Sequence, residues 1–173
     1  MFLNLSDVLS DQHRSIIKDV PFEMDYFKSD FGKYKILNKD LLKIDLSHVD
    51  GSKIKLEAKL KLIIEAACDR CLDNVNLNFD ININKEIDFS DEEEIEESNE
   101  IVREGGYVLD TDKLVYNELI VGWPAKVLCK DDCKGICNVC GRNQNTGVCD
   151  CEDTGLDPRM AAFRDVYKNF KEV

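Results

Sequence analysis

The chain has 173 residues, 43% of them hydrophobic and 34% charged, with a formal net charge of −12 and eight cysteines. That length suits one ordinary domain, or a core with a small appendage. The charge argues against a nucleic-acid footprint spread over the whole chain, and no apolar stretch approaches the roughly 20 residues that span a bilayer.

The opening MFLNLSDVLSDQHR sets Phe2, Leu3 and Leu5 before Asp7 and Asp11 with no basic lead-in, so it is not read as a secretory signal. A soluble, cytoplasmic protein is expected. Leu3 and Leu5, then Val20, Phe22 and Met24, suggest short strands. Leu42, Ile44 and Leu46 alternate before Asp50-Gly51, a dipeptide that favours a tight hairpin because both residues tolerate positive φ. From Lys53 the even positions Ile54, Leu56, Ala58, Leu60, Leu62, Ile64 and Ala66 are all apolar, while the odd ones are mostly Lys or Glu. This is a strand buried on one face. A second alternation follows on odd numbers, through Val75, Leu77, Phe79, Ile81, Ile83, Ile87 and Phe89. The two strands flank CDRCLDN, which puts the first CxxC at a hairpin tip.

Residues 88–104 hold nine acids against Arg103, so this one stretch carries eight of the twelve net negative charges. Like charges repel, and a solvated linker is expected there. After Gly105-Gly106, Asp112 is placed to cap a helix carrying Leu114, Val115, Leu119 and Ile120, ending near Gly122 and Pro124. Asp157-Pro158 reads as a second helix start, with Met160, Phe163, Tyr167 and Phe170 at helical spacing. The expected fold is α+β: an antiparallel β-meander core covered by helices, with a small cysteine-rich zinc module near the C-terminus. Its parts are a β-rich core over 1–89, a flexible acidic linker over 90–104, a helix and connection over 105–128, and the zinc module with a terminal helix over 129–173.

The eight cysteines stand beside only two histidines, His13 and His48, neither of them near a cysteine in sequence. Zinc accepts four thiolates tetrahedrally, and short turns such as CxxC bring two sulfurs to one ion. Cys137, Cys140, Cys149 and Cys151 form C-x2-C-x8-C-x-C, a compact first site. Cys68, Cys71, Cys129 and Cys133 remain for a second. The spacing leaves open a free thiol at Cys129 or Cys133, an exchange of members between the groups, and an occupancy of one or two ions. A redox dithiol is the weaker reading, because CDRC is not followed by the helix that would lower its leading thiol's pKa. An iron–sulfur cluster is another minor reading, because the spacings match neither common ferredoxin run.

No other catalytic set is present: there is no glycine-rich phosphate loop and no GxSxG, so no enzyme is expected. Lys53, Lys55, Lys59 and Lys61 line the exposed face of one strand beside Asn76, Asn78, Asn82 and Asn84, and Arg142 lies in the cysteine loop. These can contact phosphates or bases. They equally suit the polar outer face that a half-exposed antiparallel sheet needs.

Taken in order, the strand ending in CDRC, the acidic stretch, LVYNELIVGWPAKVLCKDDCKGICNVCGRNQNTGVCDC and LDPRMAAF resemble the YceD family of large ribosomal RNA subunit accumulation proteins. The resemblance runs from about residue 40 to 170 and is most specific in LCKDDCKGICNVCGRNQN and DPRMAAF. It implies a role in accumulation of large-subunit ribosomal RNA and assembly of the large ribosomal subunit, and it carries no catalytic residues. The implied partner is a ribosomal protein, precursor rRNA, or both. The rivals are a direct RNA-binding zinc protein and a thiol redox protein.

Overall fold

The computed structural model describes residues 1–10, 15–103 and 105–151. The helix expected from Asp157 and its stripe of Met160, Phe163, Tyr167 and Phe170 lie outside the described residues, as does His13. Two compact units are present among the described residues: Met1–Ala67 with Asn74–Val127, and Cys68–Asp73 with residues 128–151. The expected parts place the zinc module at 129–173 and residues 68–73 in the β-rich core over 1–89, whereas the six residues of the hairpin tip, 68–73, group with the cysteine-rich unit.

The β unit runs β1 (Phe2–Asn4), α1 (Ser6–Ser10), β2 (Ser15–Val20), β3 (Tyr26–Ser29), β4 (Gly32–Lys39), β5 (Leu42–Asp50), β6 (Lys53–Ala67), β7 (Asn74–Asp88), α2 (Glu92–Glu97), β8 (Ile101–Arg103), β9 (Tyr107–Asp110) and α3 (Thr111–Val121). Strand β6 is the spine. One edge pairs antiparallel with β5 along its first half and with β4 along its second, and the other pairs with β7 without a slip from Lys53↔Asp88 to Ala67↔Asn74. Outside these, β2 flanks β5 and β3 flanks β4. The second edge of β7 has no backbone partner among the described residues, and its fifteen residues contain neither proline nor bulge.

The period-two pattern translates directly into burial. Every even position of β6 from Ile54 to Ala66 is buried, as are Leu42, Ile44 and Leu46 of β5 and Ile81, Ile83 and Ile87 of β7. Each large side chain so buried contributes roughly 1.5–3 kcal/mol. At the β5–β6 turn, Asp50 pairs with Lys53, so the loop is Gly51-Ser52, and only Gly51 takes a positive φ, of 55°. The strand expected around Val20, Phe22 and Met24 ends at Val20, although Phe22 is still buried.

The inner face is covered by α1, α3 and a small antiparallel sheet in the order β1-β9-β8. Helix α3 is capped by Asp110, whose Oδ1 accepts from the N–H groups of Asp112 and Lys113 at 3.2 and 3.3 Å. The expected cap, Asp112, sits in the first turn. The stretch expected to be a flexible acidic linker carries α2 and β8, because Phe89, Ile95 and Ile101 are buried and anchor it to the core. One cation enters this layer. Lys85 Nζ lies 3.0 Å from Glu100 and 3.2 Å from Glu118, and Asn117 donates to the other Glu100 oxygen at 2.7 Å. Burial alone would lower the Lys85 pKa, but the two carboxylates raise it overall. Nearby, Phe27, Tyr34, Phe79 and Tyr116 surround Trp123 or one another at centroid distances of 4.5 to 6.3 Å. No helix among the described residues is long and apolar enough to cross a membrane.

Candidate metal centres

Within the cysteine-rich unit, two short chain segments fold onto each other through their backbones. In the first, Cys68 N–H donates to the Asp73 carbonyl and Leu72 N–H to the Cys68 carbonyl, closing a turn in which Leu72 adopts φ 64°. In the second, Cys133 N–H donates to Lys130, and Gly135 takes φ 77°. The segments are strapped together by Ile136 N–H on the Arg70 carbonyl (3.1 Å) and by Arg70 Nη1 on the Cys133 carbonyl (2.9 Å). A Cβ on Gly135 would stand 3.1 Å from the Arg70 oxygen, so this approach requires glycine.

That strap brings Cys68, Cys71, Cys129 and Cys133 together, with all four sulfurs within 4.8 Å of one another. Two of the spacings are 3.8 Å (Cys68 to Cys133) and 3.5 Å (Cys71 to Cys129). A disulfide would need about 2.05 Å. Four thiolates at about 2.3 Å around a tetrahedral ion stand roughly 3.8 Å apart, which is the spacing found. Cys68, Cys71 and Cys133 are buried and Cys129 is exposed.

Cys137, Cys140, Cys149 and Cys151 form the second cluster under the same distance limit. Here Cys137 N–H donates to Arg142 and Gly141 N–H to Cys137, and Gly141 takes the positive φ that the turn needs. Cys137 is buried, Cys149 and Cys151 are half-buried, and Cys140 is exposed. A shallow cleft beside it is lined by Lys134, Asn138, Val139, Gln144 and Val148.

The thiols of each cluster titrate against one another. Burial works against ionising Cys68, but backbone N–H groups of Cys71, Arg70 and Cys129 bring it down to about 6. Cys71 moves the other way: the Asp73 N–H favours its thiolate, but burial and the neighbouring sulfurs raise it overall. In the second cluster the N–H groups of Cys140 and Val139 hold Cys137 at about 6, while Cys140, burial and Cys149 push Cys151 up to about 12. Burial works against ionising Cys133 too, but the Asn145 side chain and the Gly135 N–H lower it overall. In the first cluster Cys68 and Cys133 therefore ionise readily while Cys71 and Cys129 resist it, and in the second Cys137 ionises readily while Cys149 and Cys151 resist it. A divalent cation is the partner that would let all four be thiolates at neutral pH, and each tetrad can therefore hold a metal ion.

The basic residues singled out in the sequence have a different setting. Lys53 is within 3.7 Å of Glu86 and 3.6 Å of Asp88, Lys55 pairs with Glu57, and Lys61 lies 3.4 Å from Asp80. Lys59 is exposed opposite Asn82. In the other unit, Arg142 is exposed and donates to the Val148 carbonyl at 3.4 Å. The polar residues around the first tetrad, Arg70, Asp73, Asn143 and Asn145, carry no periodic signal. Only their closeness to cysteines in sequence marks them.

The family model described as "Large ribosomal RNA subunit accumulation protein YceD" matches residues 56–166, well over half the chain. No curated protein and no solved structure matches it.

Proposed function

The chain belongs to the YceD family, and from that membership we propose that it supports accumulation of large-subunit ribosomal RNA, and so assembly of the large ribosomal subunit, as a cytoplasmic factor without a catalytic centre. The family description supports the ribosomal role. In this reading each tetrad holds one structural zinc, with Cys68, Cys71, Cys129 and Cys133 at one ion and Cys137, Cys140, Cys149 and Cys151 at the other. Four protein thiolates leave no open position for a reacting water.

The direct partner we propose is a basic ribosomal protein. The observation that carries this choice is the pairing of the lysine row: Lys53, Lys55 and Lys61 each face a carboxylate, so the sheet presents a charge-balanced surface. A phosphate backbone is held by unpaired cations whose counterions it replaces, and this face offers few. The chain's −12 favours encounter with a cationic protein, and two tetrathiolate zinc ions would each add about −2. Capture from cell extract, with and without ribonuclease, tests the assignment. A basic ribosomal protein retained after complete RNA digestion is the expected result. Loss of every ribosomal protein on digestion would transfer the contact to RNA, and a normal large-subunit peak in sedimentation profiles after depletion would remove the assembly role.

A further inference from the structure

The loop that closes the second cluster, residues 141–148, also reaches the first; Cys137, Cys140, Cys149 and Cys151 are here the outer tetrad, and Cys68, Cys71, Cys129 and Cys133 the inner one. Asn145 Nδ2 donates to Cys133 Sγ at 3.3 Å, while its Oδ1 accepts the Lys134 N–H at 2.9 Å. Gln144 N–H donates to the Gly135 carbonyl at 2.9 Å. Asn143 Nδ2 donates to Asp73 Oδ2 at 2.6 Å, and that carboxylate lies 3.3 Å from Cys71 Sγ. Asn143 Oδ1 in turn accepts from the Asn145 backbone and side chain, both at 2.9 Å, which locks the two amides as a pair. The partners in the inner cluster are Cys133 itself, the two residues after it, and the carboxylate beside Cys71.

We propose that the two tetrads are coupled sites. An ion at Cys137, Cys140, Cys149 and Cys151 orders the loop that seats Asn145 on Cys133, so occupancy of the outer site sets how tightly the inner site holds its metal. This rests on the reading that both tetrads bind zinc. A donor on a metal-bound sulfur orients the ligand and offsets its charge, and removing such a contact weakens metal binding about 10–100-fold. The outer tetrad needs to keep only one local loop closed, and its exposed Cys140 meets a chelator first. The inner tetrad joins segments 57 residues apart in sequence between Cys71 and Cys129, with three of its four cysteines buried. Metal therefore leaves in order, outer before inner, and the inner ion leaves faster once the outer has gone. Linkage makes the effect reciprocal: filling the inner site tightens the outer.

The test measures zinc per chain and its release into an excess of chromogenic chelator, for the wild-type chain, Cys140→Ser and Asn145→Ala. Wild type is expected to hold two zincs and release them in a fast and a slow phase. The wild-type slow phase is the inner ion leaving after the outer has gone, so Cys140→Ser should keep one zinc and lose it at about that rate. Asn145→Ala leaves all eight cysteines in place; it should keep two zincs, with the fast phase accelerated about 10–100-fold because the outer site no longer gains from a filled inner site, and with the slow phase unchanged. Two zincs in wild type with a fast phase indifferent to Asn145→Ala, or a slow phase accelerated in its place, would overturn the coupling and leave the metal assignment standing. A wild-type chain without zinc would overturn both.

Discussion

Replacing Gly135 with alanine perturbs the strap between the two segments of the inner tetrad without touching a ligand. Gly135 sits at φ 77°, where an L side chain costs roughly 1–2 kcal/mol. The new Cβ would also stand 3.1 Å from the Arg70 carbonyl oxygen and 3.6 Å from the Arg70 Cβ. That oxygen is main chain and already accepts from Ile136, so it has little room to give, and crowding of this kind adds about 1–3 kcal/mol. The sum, about 2–5 kcal/mol, falls on a turn bounded by Cys68, Cys71 and Cys133. If it is expressed wholly in metal binding, inner-site affinity drops roughly 30- to several-thousand-fold, at 1.4 kcal/mol per decade. Gly141→Ala is the control. Gly141 has φ 70°, but nothing lies within 4 Å of its Cβ position, so it carries the backbone term alone, and carries it on the outer tetrad. Competition titration of cobalt or zinc against a chelator reads both variants. An inner-site affinity in Gly135→Ala equal to wild type, or a loss no larger than Gly141→Ala causes at its own site, would refute the strap as the element that assembles the inner tetrad.

Three further outcomes are expected. Lys85→Met strands the Glu100 carboxylate, whose side chain is 11% exposed; removing one partner of a fully buried pair costs 3–5 kcal/mol, and the 36% exposure of the lysine reduces this to about 1–3 in urea denaturation, with Glu100→Gln restoring part of the loss. Phe27→Ala empties a fully buried position against Tyr116 and Trp123, so it should destabilise the β unit by about 3–5 kcal/mol and shift the emission of Trp123, the chain's single tryptophan. Acidification should release metal from both tetrads. Binding requires four deprotonated sulfurs and expels their protons, so the stabilisation by metal is present at neutral and higher pH and is lost as pH falls through the lower-titrating thiols, Cys68 and Cys137 near 6 without metal. Metal retained in full at pH 4 would contradict thiolate ligation.

The parts of this fold that could be read from the sequence are those governed by a single repeated rule. Strands β6 and β7 keep their alternation over most of fifteen residues each, with Ile63 in β6 and Lys85 in β7 as departures, so the buried even positions of β6 and Ile81, Ile83 and Ile87 of β7 follow from counting, while Val75, Leu77 and Phe79 are only half-buried. Strand β4 escaped because its register shifts between Ile36 and Asn38, which breaks the alternation and leaves Leu37 exposed, and β3 is only four residues long, too short for a periodic signal to stand out. The acidic stretch misled for a related reason: charge dominates a window average, whereas order there rests on isolated anchors such as Ile95 and Ile101. At Asp110 and Asp112, two equivalent caps lie two residues apart, and only the backbone angles choose between them. The two cysteine tetrads were legible because residues able to share one metal ion come in closely spaced pairs. Asn143 and Asn145 were not, since a single amide in a loop looks the same whether it meets water or a thiolate sulfur.

The edge of β7 that has no backbone partner among the described residues bears on the behaviour of the isolated protein. Natural sheets guard such edges with proline, bulges, charged edge side chains or inward-pointing charges; these fifteen residues have no proline or bulge, but they carry Asp80, Glu86 and Asp88 on the polar face, and Lys85 on the inner side with Glu100 and Glu118. Mutual repulsion at −12 is expected to add to these guards against edge-to-edge pairing, acting over a Debye length of about 10 Å at 0.1 M salt. Colloidal behaviour is thereby tied to ionic conditions: high salt, or a pH drifting toward the isoelectric point of about 4.6, removes the repulsion while leaving the unpaired N–H and C=O groups in place. Low-salt buffers well above that pH are the conditions in which this chain is expected to stay dispersed.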